Sequence, residues 1–426
     1  MDNLFKKISL IIKDPSLRKR IIFVVFALVI FRLLSVIPVP GVDPLQLQKF
    51  FMSPAGDVFG LFNIFSGGGL SKLSIVMLGV GPYITGSIVM QLLTMIFPKL
   101  KEMYQEEGEA GRAKFTQYSR LLTIPLALVQ GGGFLLLLQK SGVITELSTL
   151  GMITNVMVVI AGSVFLMWLG EIMTEFGIGN GTSLIIFAGI VASVPTTLTQ
   201  LSITFSSSQI PMYLAFVVVG LLVVLGVVIV TEAERPIPVT YAKRVRGSKV
   251  YGGVSTYLPL RVNQAGVIPI IFALSILLFP QMIFQYVTTA VPTGIVNTIA
   301  TQILSLLKNG WFYSIFYFIL VFLFTYFYTA VTFDPHAISE NLQKNGAFIP
   351  GVRPGQSTSE HIAKVLTRIT LVGATFLGVI AVLPLAMRAI TGIQSLAIGG
   401  TALLIVVSVV IDLMKKVDAQ VSMREY

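Results

Sequence analysis

Side chains that could carry out chemistry are scarce in this 426-residue chain. There is no cysteine, and two isolated histidines, His336 and His361, are more typical of an ordinary loop than of a metal or catalytic site. No Walker A phosphate-binding loop occurs. The glycine-rich stretch 177–181 connects two apolar segments, where a tight turn is the simpler interpretation. The sequence therefore predicts no enzymatic activity, no metal and no cofactor, so energy for any work has to come from a partner or a gradient.

Charged side chains within apolar segments are the next candidates for chemistry. They are Arg32, Glu171 and Asp412, and each falls near one end of its segment. Ion-coupled carriers usually place carboxylates near the middle of the membrane, because a desolvated charge there binds or relays an ion. A charge near the end of a segment can instead extend to the interface. These three residues therefore favour interfacial contacts over ion coupling.

Ten long apolar stretches must position whatever function the chain has. Hydrophobic residues make up 54% of the chain and charged residues 12%, which is unlike a soluble domain. Lipid cannot satisfy exposed backbone groups, so each stretch of roughly 20 residues is expected to be a membrane-spanning helix. The first stretch is too long for a signal peptide, and no small-residue cleavage site follows it. The expected spans are residues 21–37, 74–97, 117–138, 152–170, 183–203, 211–231, 265–287, 311–333, 367–387 and 394–414.

Basic residues set the expected orientation of these spans. Most of the 30 lysines and arginines fall in the two terminal tails and in the connections that follow spans 2, 6 and 8. The positive-inside rule therefore predicts that both termini are cytoplasmic. Anionic lipid beside these loops accounts for most of the net charge of +11. The remaining positive charge would also suit an acidic partner such as ribosomal RNA.

Ten spans divide into two halves of five, and an odd number of spans per half requires any repeat to be inverted. Residues 79–97 and 266–284 share seven identities in nineteen aligned positions, and they begin the second span of each half. Glycine- and proline-interrupted helices at equivalent positions indicate a transport path. A packing kink is the alternative interpretation.

Three connections are unusual. Residues 60–74 are too short and too glycine-rich to cross a bilayer, so they form either an outer loop or a segment that re-enters between helices. Residues 232–264 and 334–366 are long for a compact bundle. The first of these predicts a hairpin around Gly247 with basic residues near its tip. Docking to an acidic partner and ordinary solvated loops are both open interpretations.

Specific motifs occur over essentially the full length of the chain. They read FNIFSGGGLSKLS before span 2, PYITGSIVMQLL within it, MWLGEIMTEFGIGNGTSLIIFAGIV through spans 4 and 5, YAKRVRGSKVYGGVSTYLPLRVNQAGVIP into span 7, GAFIPGVRPG before span 9 and GGTALLIVVSVVIDLM in span 10. The chain thereby resembles the SecY family, the large subunit of the bacterial protein-conducting channel. The resemblance implies an all-α membrane protein with ten transmembrane helices in two inverted pseudo-symmetric halves and a short plug before helix 2.

The implied organisation is a cytoplasmic tail (1–20), an N-terminal half (21–205) with the plug at about 61–73, a C-terminal half (206–414) and a second cytoplasmic tail (415–426). Loops 232–264 and 334–366 belong to the C-terminal half.

The resemblance also implies roles for individual residues. One predicted ring residue, Val80, departs from the family pattern by being valine rather than isoleucine. The pore ring would be Val80, Ile84, Ile186, Ile268, Ile271 and Ile405. The lateral gate would contain Gln91, Asn263, Pro82 and Pro269. The plug would contain Phe62, Asn63, Ile64, Phe65, Ser66, Gly67, Gly68, Gly69 and Leu70. The ribosome and the motor would dock on Lys243, Arg244, Arg246, Lys249 and Arg353.

The function implied by the resemblance is translocation of unfolded secretory polypeptides across the bacterial cytoplasmic membrane, with release of membrane-protein helices sideways into lipid. Implied partners are the SecE and SecG subunits, the SecA motor ATPase, ribosomes with their RNA, nascent chains, signal peptides and membrane lipids. A secondary transporter for a small solute is the alternative. It would also have inverted repeats and broken helices, but it should carry polar or acidic residues at the middle of the membrane.

Overall fold

Ten apolar helices correspond to the ten expected spans. The structure, a computed structural model, describes residues 14–52, 66, 68–70, 72–105, 107–140, 142–144, 148–203, 210–241, 244–246, 249–251, 255–290, 293–391 and 399–422. The spanning helices are α1 (Pro15–Leu34), α3 (Gly81–Ile96), α5 (Gly108–Lys140), α6 (Thr149–Phe176), α7 (Gly181–Ile203), α8 (Ile210–Glu232), α9 (Ile268–Ala290), α11 (Gly310–Thr332), α13 (Gln356–Thr391) and α14 (Gly399–Ser422).

Shorter elements connect these helices. They are α2 (Pro44–Met52), α4 (Pro98–Gln105), α10 (Ile295–Lys308) and α12 (Pro335–Lys344), together with strands β1 (Glu234–Tyr241), β2 (Arg244–Arg246), β3 (Lys249–Tyr251), β4 (Ser255–Arg261) and β5 (Ala347–Phe348). Within the described ranges, five spans are individually long and apolar enough to cross a membrane: α5, α6, α8, α11 and α13.

Helix boundaries differ from the apolar stretches where polar residues extend or end a helix. Helix α1 begins before its apolar run because the Asp14 carboxylate accepts a 2.9 Å hydrogen bond from the Ser16 amide and caps the helix. Helix α13 begins at Gln356 rather than at residue 367, since Ile362 of its polar first part is buried against the loop sheet. At the C-terminal end of α3, Phe97 has an extended backbone because Pro98 follows it. Helix α4 is then bent by 117° relative to α3.

The two sequence repeats begin their helices in the same way. Gly79 has φ +59° and Gly266 has φ +61°, a backbone conformation that favours glycine. Each glycine lies just before a helix, α3 at Gly81 and α9 at Ile268. The chain therefore enters the second span of each half through equivalent left-handed turns, which gives the repeat a structural basis that sequence identity alone did not provide.

The helices pack as two halves that meet along two seams. In the N-terminal half α5 packs against α3 and α6, while α7 and α1 both pack against α6. In the C-terminal half α11 packs between α9 and α13, and α14 contacts α8 and α13. Helix α9 contacts α3 and α5 across the first seam, and α14 contacts α7 across the second. This arrangement confirms the predicted all-α fold of two halves.

Two large apolar clusters form the core. The central cluster takes side chains from both halves, whereas the second cluster lies entirely within the N-terminal half. In the second cluster Leu70, Leu73 and Met77, from the turns before α3, are fully buried with Phe134 of α5 and Val159 of α6. The turns before α3 are therefore part of the packed N-terminal half.

The two long loops between helices are joined into one folded unit. Strands β1 and β4 pair antiparallel, and β5, from the second loop, pairs with the other edge of β1 so that Thr240 lies opposite Phe348. Ile237, Leu260 and Ile349 are buried between this sheet and the start of α13. The hairpin predicted around Gly247 is present, because β2 and β3 pair with Arg246 opposite Lys249.

A close contact between α6 and the turns before α3 generates a prediction. A Cβ atom at Gly162 of α6 would overlap the carbonyl oxygen of Ile75, whereas a Cβ at Gly132 of α5 would meet open space. Overpacking of this kind costs roughly 1–3 kcal/mol. We expect Gly162→Ala to lower the apparent Tm of the detergent-solubilised protein, measured by size-exclusion chromatography after heating. Gly132→Ala is the matched control and should leave Tm unchanged or slightly raised. Equal effects of the two substitutions would contradict the contact.

Candidate functional site

Branched aliphatic side chains meet at the centre of the molecule. Val80, Ile186 and Ile405 are at most 2% exposed and belong to the central cluster, against which the partly buried Ile84 and Ile271 pack. They come from both halves: the turn before α3, then α3, α7, α9 and α14. Ile268, the remaining predicted ring residue, is half-buried as the first residue of α9. The structure thus brings five of the six predicted ring residues into one cluster.

The equivalent turns of the repeat position four of these side chains. The amide of Ile84 donates a hydrogen bond to the carbonyl oxygen of Val80 at 3.0 Å, and the amide of Ile271 donates to that of Val267 at 3.4 Å. These bonds close the first turns of α3 and α9, which therefore present aliphatic residues at matching positions. Val80, Ile84, Ile268 and Ile271 all lie on these two helix starts.

The chemistry of this cluster is exclusion of water. Aliphatic side chains offer no hydrogen bond to water or ions, and a hydrophobic constriction resists wetting when it is narrow. Branched side chains can also deform around a passing group without leaving a polar partner unsatisfied. The cluster is suited to act as a seal, and its aliphatic side chains offer no hydrogen bond to a polar solute.

Buried amides occur in α3 and just before α9, the two helices that meet at the first seam. Pro82 and Pro269 are buried in the first turns of α3 and α9. The carboxamide oxygens of Gln91 in α3 and of Asn263, just before α9, are buried. Neither has a hydrogen-bond partner among the described residues. The Cα of Asn263 lies close to Gly373 of α13.

Sequence analysis missed further polar groups of the same kind. Gln130 of α5 and Gln281 of α9 are 6% and 7% exposed, and their carboxamide oxygens have no partner within the described part of the chain. The hydroxyl of Tyr317 in α11 is likewise buried and unpartnered there. A single glutamine within a long apolar run was the available signal, because a buried polar group is expensive and is seldom placed without a reason.

The predicted plug is described only in part. Phe62, Asn63, Ile64, Phe65 and Gly67 lie outside the described residues. Ser66, Gly69 and Leu70 are buried, and Gly68 is half-buried. The amide of Leu70 donates a 3.1 Å hydrogen bond to the Ser66 hydroxyl, and Leu70 packs in the second cluster rather than in the central one.

The predicted docking residues lie on the joined loop unit. Arg353 is exposed, and its carbonyl oxygen accepts a 2.8 Å hydrogen bond from the Thr358 hydroxyl. The nearby Gly355 carbonyl accepts one of 2.6 Å from the Ser339 hydroxyl, which attaches the turn to α12. Arg244, Arg246 and Lys249 belong to the hairpin strands β2 and β3, and Lys243 lies outside the described residues.

Metal ligands and charge pairs do not suggest a different site. Over the residues searched, no group of three or more histidine, cysteine or acidic residues could hold a metal ion. Glu171 at the end of α6 is partly buried and accepts a 2.8 Å ion-paired hydrogen bond from Arg120 of α5. This pair joins two helices of the N-terminal half, which agrees with an interfacial rather than an ion-coupling role.

The unpartnered oxygen of Asn263 leads to a second prediction. Burial of an oxygen that has no partner costs roughly 1–3 kcal/mol, whereas a side chain of similar size without polar atoms avoids that cost. We expect Asn263→Leu to raise the apparent Tm and Asn263→Ala, which leaves a cavity, to lower it. A decrease as large for leucine as for alanine would show that the amide makes stabilising hydrogen bonds.

Comparison with known proteins agrees with this arrangement. The sequence profile of the SecY family matches residues 74–414. The SecY translocase subunits of Streptomyces coelicolor and Mycobacterium tuberculosis are each 40% identical to the chain, with 97% of both chains covered. That of Mycobacterium leprae is 41% identical at the same coverage.

Solved structures share the fold. A protein-conducting channel superimposes with a TM-score of 0.65 at 19% identity, covering 93% of this chain and 91% of that one. Sec61 in a canine ribosome-channel complex from the endoplasmic reticulum superimposes with a TM-score of 0.61 at 18% identity, with the same coverage. Both likenesses establish the two-half helical architecture.

Proposed function

This chain belongs to the SecY family, and we propose that it forms the channel through which unfolded secretory polypeptides cross the bacterial cytoplasmic membrane. The observation that carries the proposal is the aliphatic cluster between the halves. A translocating chain presents every kind of side chain in turn, so its path has to seal without specific polar sites. A transporter for a small solute would instead need polar groups arranged around that solute.

We propose that Val80, Ile84, Ile186, Ile268, Ile271 and Ile405 form the constriction. When no chain is present, their side chains pack together and exclude water. When a polypeptide enters, they rotate and shift around it, since no hydrogen bond between them has to break. The plug before α3, packed through Leu70 into the N-terminal half, would close the outer side of this constriction.

The lateral gate is proposed along the seam where α9 packs against α3 and α5. The unpartnered oxygens of Gln91 and Asn263 make the closed state less stable than a fully apolar closure would be, by roughly 1–3 kcal/mol for each oxygen. Opening exposes these oxygens to water or to the backbone of an entering chain. A sufficiently apolar signal segment could then occupy the seam and pass into lipid.

Docking is proposed on the joined loop unit at the cytoplasmic surface. Its basic hairpin and Arg353 would contact ribosomal RNA or acidic groups of the SecA motor, which would supply the energy for translocation. The solved relatives include a Sec61 channel and a yeast Ssh1 complex bound to ribosomes. SecE and SecG are the proposed small subunits, and both termini of this chain are proposed to be cytoplasmic.

A leak of small ions tests the seal. Asparagine at positions 84 and 271 would let water persist in the constriction, so we expect the Ile84→Asn, Ile271→Asn double variant to conduct ions when idle. Planar-bilayer recordings would compare it with the Ile84→Leu, Ile271→Leu double variant, which conserves volume and should stay closed. Both would also be recorded after deletion of residues 61–73, since the plug can mask a leak. No rise in conductance in the asparagine variant without the plug would place the constriction elsewhere.

Charge reversal tests the docking surface. Arg353→Glu should slow translocation of a secretory precursor into proteoliposomes, because repulsion weakens association with an acidic partner, and the defect should depend on salt. The stability of the channel should not change, since the arginine side chain is exposed. Lys49→Glu, the same reversal at an exposed position of α2 on the opposite side, is the control. A normal rate for Arg353→Glu would exclude this residue as a contact.

A further inference from the structure

Helix α10 carries a surface pattern that the channel function does not explain. It connects α9 to α11 on the side of the molecule opposite the basic loops, and it packs against both of these helices. Its sequence, IVNTIATQILSLLK, alternates apolar and polar residues with helical spacing. At about 100° per residue, all of its aliphatic residues fall within one half of the circumference.

Burial divides this circumference into three sectors. Ala300, Leu304 and the partly buried Leu307 face the protein. A second sector, which we call the polar sector, is exposed and consists of Thr298, Thr301, Gln302 and Ser305. The third, the apolar sector, is also exposed although it consists of Ile295, Ile299 and Leu306, which are 79%, 50% and 54% exposed.

Such a helix has two exposed sectors that require different solvents. A helix in water would not expose three large aliphatic residues along one line. The three hydroxyls of the polar sector donate to backbone carbonyls, but the exposed carboxamide of Gln302 would be costly deep in hydrocarbon. A helix that lies in the plane of the membrane interface satisfies both sectors, with one toward the acyl chains and the other toward water.

The following residues place α10 at this level of the membrane. Asn309 ends α10 and caps α11, because its side-chain oxygen accepts a 3.1 Å hydrogen bond from the Trp311 amide. Trp311 is 80% exposed in the first turn of a helix that then runs through the membrane. Tryptophan at the end of a spanning helix is typical of the membrane interface. Trp311 and Phe312 of α11 thus add exposed aromatic side chains a few residues beyond Leu306.

We propose that α10 is an interfacial helix that binds the lipid of the outer leaflet through Ile295, Ile299 and Leu306. Because it packs on α9, it holds the outer end of that helix at the membrane surface. If α9 moves as the proposed gate requires, α10 has to slide along the leaflet with it. The lipid contact itself does not depend on the gate.

Site-directed spin labelling tests this contact, and a chain without native cysteine is suited to it. Single cysteines at Ile299, Leu306, Gln302 and Ser305 would carry a nitroxide in the channel complex reconstituted with phosphatidylcholine and phosphatidylglycerol. Collision with oxygen, which concentrates in hydrocarbon, would be compared with collision with a water-soluble nickel chelate. Ile315→Cys, on the exposed face of α11, is the lipid-facing reference.

The proposal predicts that positions 299 and 306 collide several-fold more with oxygen than with nickel, as position 315 does, and that positions 302 and 305 show the reverse. Preferential nickel collision at 299 and 306 would overturn it by placing this sector in water. Exclusion of both reagents there would overturn it in favour of a covering protein subunit.

Tryptophan quenching, which needs no spin label, controls for perturbation of the structure by the nitroxide. The chain has two tryptophans, so Trp168→Phe and Trp311→Phe remove the background for Ile299→Trp. We expect lipids brominated near the head group to quench this tryptophan and to spare one introduced by Gln302→Trp. Equal quenching at the two positions would contradict the orientation of α10.

Discussion

Contact between the two halves at the central aliphatic cluster is the constraint on which the rest of the structure depends. Hydrophobic burial does not drive helix association within lipid, so helices associate there through close packing and hydrogen bonds. Each half uses close packing heavily: among the described glycines, the tightest approaches join parts of the same half, as for Gly162 with Ile75 and Gly373 with Val262. Between the halves, the central cluster consists mainly of aliphatic side chains, with a few aromatic ones such as Phe31 and Tyr317. From this difference we infer rigid halves and a more deformable boundary.

The loop unit is connected directly to the elements that form this boundary. Strand β4 ends at Arg261, the Val262 carbonyl lies against Gly373 of α13, and α9 begins at Ile268. Strand β5 leads through the turn that contains Arg353 to the start of α13. A partner bound to the loops would therefore act on the two helices that adjoin Asn263. In the proposed gate, the unpartnered amide oxygens would lower the energy needed to open the seam.

Sequence patterns predicted the ten spans because lipid leaves the backbone few alternatives to helices. The apolar runs did not indicate where helices begin when the cause was a local cap, as at Asp14, or packing of a polar segment, as at Ile362. The weak repeat became informative only through the positive φ angles of Gly79 and Gly266, which sequence identity cannot report. Pairing of β5 with β1 joins residues more than a hundred positions apart, so no local pattern could predict it. The ring residues and the docking arginine came from family resemblance, and their roles stay predictions.

Site-specific photocrosslinking to a secretory precursor arrested during translocation tests the central claim most directly. A benzophenone side chain at Ile84, in the central cluster, would be compared with one at Leu222, which is exposed on α8. A polypeptide that crosses between the two halves should crosslink at position 84 and not at position 222. Crosslinks at position 222 without any at position 84 would contradict a path through the aliphatic cluster.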